Sequence, residues 1–109
     1  MNPVPSTIRV VLADDHNLIR SGVRSLLSAI EGVEVIGEVS DGVELLDLLD
    51  SVQPDLIFMD LVMPGMNGIT AITRVQERYP ALPVIVLSMQ EGTEAIKRAV
   101  AAGARGYIR

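Results

Sequence analysis

Four apolar residues, Leu56-Ile57-Phe58-Met59, stand between Asp55 and Asp60, and Pro64, Gly65, Asn67 and Gly68 follow in the next eight positions. A run this short and this uniformly apolar, bounded by turn residues, reads as a strand buried on both faces. Strands of that kind lie inside parallel sheets covered by helices. The run delivers the Asp60 carboxylate to the strand's C-terminal tip, and the loop behind it leaves that side chain within reach of another molecule. An earlier run, Ile8-Arg9-Val10-Val11-Leu12-Ala13, ends in the same way at Asp14-Asp15. In an open parallel sheet the C-terminal strand ends share one edge, so these three acids can meet there.

The rest of the chain repeats the alternation. Residues 1–7 read as a tail. Asn17 to about Ile30 carries Leu18, Ile19, Val23, Leu26, Leu27 and Ile30 spaced as one helical face, with Asp15 placed to cap it. Gly32 stops this helix, and Val33 to Val39 follows as a strand whose Glu34 and Glu38 predict a position at the sheet edge. Val43 to Val52 makes a leucine-rich helix ended by Gln53-Pro54. Gly68 to Tyr79 makes another, with Ile69, Ile72 and Val75 on one stripe and Pro80 closing it. Val84 to Ser88 is a fourth strand with a polar tip. Glu91 to Ala102 is a helix with Ile96, Ala99 and Val100 inward, and Arg105 to Arg109 begins a fifth strand. Strands and helices alternating in 109 residues predict one α/β domain with right-handed crossovers.

Composition removes several function classes. No cysteine is present, which excludes a disulfide frame and a thiolate metal site and suits a reducing cytoplasm. A net charge of −5, with nine scattered basic residues, argues against direct nucleic-acid contact by this segment. Neither a signal peptide nor an apolar run of membrane-spanning length is present, so no membrane association is expected. Gly65 and Gly68 are not a phosphate-cradling loop, since no Gly-Lys-Ser/Thr follows; they suit a bent loop and a free helix start. His16, alone behind the acidic pair, reads as a solvated residue at a helix start.

Taken together, Asp14-Asp15, Asp60 with Met63-Pro64-Gly65-Met66-Asn67-Gly68, Ser88, and Ala102-Gly103-Ala104-Arg105-Gly106-Tyr107 resemble the receiver domain of two-component response regulators. Asp14-Asp15-His16, Leu87-Ser88-Met89 and the Ala102–Tyr107 segment are most similar to the NarL/FixJ subgroup, whose members carry a LuxR-type C-terminal helix-turn-helix. The resemblance implies a doubly wound five-stranded parallel sheet in the order 2-1-3-4-5. It also implies a receiver domain over 8–109 that stops after the fifth strand, without the family's final helix and without the lysine that would fall just beyond Arg109. A shortened domain of that kind is expected to dimerise or exchange elements through its exposed apolar face.

The site residues follow from the same resemblance. Asp60 is the phosphoacceptor for a phosphohistidine on a sensor histidine kinase. Asp14, Asp15, Asp60 and the main-chain carbonyl of Val62 hold Mg²⁺, or Mn²⁺ in its place; crowded carboxylates repel one another and call for such a cation. Ser88 donates its hydroxyl to the phosphoryl group, and Tyr107 changes rotamer in response. The output is regulation of a DNA-binding module outside this chain, in the cytoplasm, with no turnover of an external substrate. An aspartyl-phosphate phosphatase would need a second Asp where Val62 stands, and a flavin-binding module would need hydroxyl and amide donors where Asp14-Asp15 stand. The remaining alternative is a receiver that no longer accepts phosphate and serves as a dimerisation or docking module.

Overall fold

A computed structural model of the chain describes residues 7–61, 66–87 and 93–108, the side chains of 93–96 and 107 excepted. Its elements are β1 (Ile8–Ala13), α1 (Asn17–Ser28), β2 (Val33–Val39), α2 (Gly42–Leu49), β3 (Leu56–Met59), α3 (Gly68–Arg78), β4 (Val84–Leu87), α4 (Thr93–Ala102) and β5 (Gly106–Ile108). The strands pair in parallel in the order β2-β1-β3-β4-β5, the expected doubly wound sheet with β2 at an edge.

The main core lies on the face covered by α2, α3 and α4. Val11 and Ala13 of β1, Ile57 and Met59 of β3, and Val84 and Val86 of β4 meet Leu45, Ile72 and Val75 there, all essentially inaccessible to water. Each such fully buried branched side chain contributes about 1.5–3 kcal/mol relative to exposure. Local signals start the helices on that face. The Asp41 carboxylate accepts the Glu44 N–H at 2.8 Å, satisfying one backbone donor that the helix leaves unpaired, and Glu44 reaches back to the N–H of Ser40, the residue before the cap, at 2.9 Å.

Several sequence expectations differ from the structure, among them Val100 of α4, expected inward with Ala99 but 55% exposed. Burial of β3 is complete on one face only: Ile57 and Met59 are buried, whereas Leu56 and Phe58 are half-buried. On their side α1 packs over β1 and β2, and β3 lies beyond most of its cover. The apolar positions of α1 do not form one buried face. Ile19, Val23 and Leu27 are half-buried, while Leu18, Leu26 and Ile30 are 85%, 71% and 52% exposed. Residues four apart form one row on a helix, so positions 18 and 26 belong to a second row rotated away from the sheet, and Ile30 lies past the end of α1, which stops at Ser28 where the spacing predicted it to run to about Ile30. Finally, α2 ends at Leu49; Asp50, Ser51 and Val52 continue as tight turns to Asp47 and Leu48 before the proline is reached.

Register positions the acids. Ala13 pairs with Met59 as the last rung between β1 and β3, so Asp14 and Asp60 are the first residues past the same rung. Their strands end together because the Asp60 N–H donates to the Ala13 carbonyl at 2.9 Å.

Candidate functional site: an acidic cluster at two strand tips

Asp14, Asp15, His16 and Asp60 each offer a ligand atom, and these atoms all lie within 4.8 Å of one another. Asp14 is buried at 6% exposure, Asp60 is intermediate and Asp15 is exposed. An Asx turn shapes the loop after β1: Asp14 Oδ1 accepts the His16 N–H at 2.7 Å. That turn folds the imidazole back over the acids. His16 Nδ1 stands 3.0 Å from Asp14 Oδ1, 3.2 Å from Asp15 Oδ1 and 3.2 Å from Asp60 Oδ2. One ring nitrogen carries one hydrogen, so Asp14 takes the hydrogen bond and the other two carboxylates act through charge. The pKa of His16 is raised above 6.5 by the hydrogen bond to Asp14 and then by the charge of Asp15, with Asp14 and Asp60 adding to it and burial opposing. The helix start differs from expectation here: His16, not Asp15, is the N-cap of α1, and its side chain makes no capping bond.

Glycine is required behind Asp60. The Gly68 N–H donates to the Leu61 carbonyl at 2.9 Å, bringing the start of α3 onto the residue that follows Asp60. A Cβ at Gly68 would sit 2.5 Å from Leu61 Cα and 3.0 Å from the Asp60 carbonyl oxygen. Asn67 caps the helix, its side chain accepting the Thr70 N–H at 3.0 Å.

The donor set suits a hard divalent cation. Metal–oxygen distances of about 2.1 Å put the ligands of an octahedral Mg²⁺ about 3–4 Å apart, and the ligand atoms offered here lie within 4.8 Å of one another. The position among them is taken by the nitrogen of a group whose protonated form is favoured, which is the electrostatic environment a cation needs. Asp14, Asp15 and Asp60 are therefore brought together as the sequence suggested. Val62, Ser88 and the side chain of Tyr107 lie outside the described residues; the Tyr107 backbone is in β5, in register with Val86.

Sequence reasoning missed two residues. His16 is exposed, as expected, with a side chain 52% open to solvent, yet it also contacts all three carboxylates, and an Asp two positions before a residue at a helix start is a signal for the Asx turn that brings it there. The other is Arg20, whose side chain reaches the main-chain carbonyls of Asp14 and Val39.

A parallel sheet in the order 2-1-3-4-5 with clustered acids at its C-terminal edge defines a class, and the comparisons agree. Residues 10–109 match the response regulator receiver domain model, and the chain belongs to that family. It is 38% identical over 107 residues to the nitrate/nitrite response regulator protein NarL of Escherichia coli (strain K12), covering 98% of this chain and 49% of NarL. It is 37% identical over 102 residues to the response regulator protein VraR of Staphylococcus aureus, covering 94% and 49%. A LuxR-family two-component response regulator from Aurantimonas sp. SI85-9A1 superposes with a TM-score of 0.89 at 35% identity, covering 94% of this chain and 73% of that one. Its relatives are response regulators of the NarL/LuxR type, and the chain spans about half the length of the curated relatives it matches. Receiver domains are signalling switches that bind Mg²⁺ at an acidic cluster.

Proposed function

We propose that this chain is a phosphoacceptor switch in which Asp60 receives a phosphoryl group from a phosphohistidine of a sensor histidine kinase. The observation that carries this reading is the convergence of Asp14, Asp15 and Asp60 from two strand tips. An Asp60 carboxylate oxygen attacks phosphorus, the P–N bond to the kinase histidine breaks, and the imidazole nitrogen leaves with the bonding pair. Asp14, Asp15 and Asp60 would hold a Mg²⁺, whose positive charge would offset that of the phosphoryl oxygens.

The chain's own contribution is orientation. Asp60 has a side chain only 12% exposed and a backbone tied to Ala13, so its carboxylate stands on a fixed stem. Asp14, nine-tenths covered and bonded to the His16 N–H, keeps the neighbouring carboxylate from swinging outward. In the same reading the Val62 carbonyl adds a protein oxygen to the cation, Ser88 donates to the phosphoryl group, and Tyr107 follows the movement of Ser88. Residues 8–109 are then the receiver unit, acting in the cytoplasm on a DNA-binding module of a longer protein. Among the described residues no helix is long and apolar enough to cross a membrane.

Incubation with acetyl phosphate and Mg²⁺, followed by intact mass, tests the reading. One phosphoryl adduct is expected, absent without the cation and absent in Asp60→Asn. An adduct that persists in Asp60→Asn contradicts the assignment, and no adduct under any condition favours a docking module.

A further inference from the structure

We infer that Arg20 is a positioning residue for the cation site, acting through the backbone that carries Asp14 and Asp15. The inference rests on the reading of that site as a cation-dependent phosphoacceptor. Arg20 sits in the first turn of α1, and its guanidinium makes four contacts in different directions. Nη1 donates to the Asp14 carbonyl at 2.9 Å and lies 3.2 Å from the Val39 carbonyl; Nη2 donates to Asn17 Oδ1 at 3.0 Å; Nε stands 3.3 Å from Glu38 Oε1. The side chain is 20% exposed, and Glu38 is held in turn by Arg24 Nη1 at 2.6 Å.

The position of these contacts gives them their role. Pairing between β1 and β2 ends at Ala13 and Val39, so the next carbonyl, that of Asp14, has no strand partner to bond it. Asp14 is buried, and a carbonyl there needs a donor. Arg20 supplies it. The Asp14 N–H already donates to Val39 at 3.0 Å, so the backbone is fastened on both sides of the Asp14 Cα, while the Asp60 N–H fastens Ala13 from the other side. Asp14 and Asp15, the two acids that follow β1, therefore leave a backbone clamped between β2, α1 and β3. Glu38 completes the arrangement by balancing the guanidinium charge and drawing it toward β2 rather than onto the three carboxylates. A lysine cannot substitute fully, because its donors radiate from one point and lack the planar fork that spans two carbonyls and a carboxylate.

The test is a Mg²⁺ titration of the 109-residue chain, read by calorimetry, alongside thermal unfolding without metal. Loss of a group that orients metal ligands from behind weakens affinity by about tenfold or more. Arg20→Met is expected to show a loss of that order, Arg20→Lys to fall between it and wild type, and Glu38→Gln to shift affinity in the same direction. Val75→Ala, in the core on the opposite face, lowers the unfolding temperature and leaves Mg²⁺ affinity unchanged. Wild-type affinity in both Arg20→Met and Glu38→Gln overturns the inference, as does a loss in Val75→Ala equal to that in Arg20→Met. A wild-type chain that binds no Mg²⁺ overturns the reading beneath it as well.

Discussion

Replacing Gly68 with alanine tests how tightly the start of α3 is pressed onto the chain behind Asp60. The added Cβ would lie 2.5 Å from Leu61 Cα and 2.8 Å from the Leu61 carbonyl oxygen. Carbon atoms in ordinary contact are about 3.5–4.0 Å apart, so helix and strand tip must separate by roughly 1 Å. The obstructing atoms are backbone, which no rotamer change relieves. A separation of that size stretches the 2.9 Å hydrogen bond from Gly68 to Leu61 out of bonding range, a loss of about 1 kcal/mol. Overpacking adds about 1–3 kcal/mol, and the helix preference of alanine returns at most about 1 kcal/mol. The net of about 1–3 kcal/mol lowers the unfolding temperature of a domain this size by roughly 5–15 °C. Displacing the reacting carboxylate by about 1 Å also slows phosphorylation, by as much as about a hundredfold. Thermal unfolding by circular dichroism, and the rate of adduct formation from acetyl phosphate at a temperature where the variant is folded, measure the two effects. Wild-type values for both in Gly68→Ala refute the close approach.

Two further outcomes are expected. In the metal-free chain His16 titrates above 6.5, followed through its ring resonances, and Asp14→Asn lowers that value by removing the charge of its hydrogen-bonded partner. A raised folded-state value means that the stability His16 adds is complete below 6.5 and is lost as pH rises through the folded value; the stability gap between wild type and His16→Gln should close in that direction, and a gap that widens with pH contradicts the assignment. Exposed Leu18 and Leu26 on α1, with exposed Ile30 just past its end, support association of the chain with itself. Sedimentation should show a dimer or larger species at concentrations on the order of tens of micromolar, reduced by Leu26→Glu; a monomer under those conditions removes that role.

Much of this architecture was legible in the residues. Where an apolar run is bounded by acids or by glycine and proline, as in β1, β2 and β3, the sequence marks the strand ends, and the strand ends carry the site. Asp14, Asp15 and Asp60 could be placed together because parallel strands of one sheet share an edge. Less visible was anything decided by what lies across from a face. Helical spacing in α1 identified apolar positions but not their division into a row against the sheet and a row in water, since that division depends on which strands the helix covers. Phe58 reads as core in sequence and is half-buried for the same reason. His16 and Arg20 were missed because their roles arise from main-chain geometry: a turn closed by Asp14 Oδ1, and a carbonyl left over where β1 stops pairing with β2.

Backbone amide resonances followed during a Mg²⁺ titration show whether carboxylates from two strand tips form one cation site around the acceptor oxygen. Resonances of Asp15, His16 and Asp60 should move together along one saturable curve, and that curve should vanish in Asp15→Asn and in Asp60→Asn. Undiminished binding in those variants, or a wild-type chain whose Asp15 and Asp60 resonances never respond to the ion, would contradict the account.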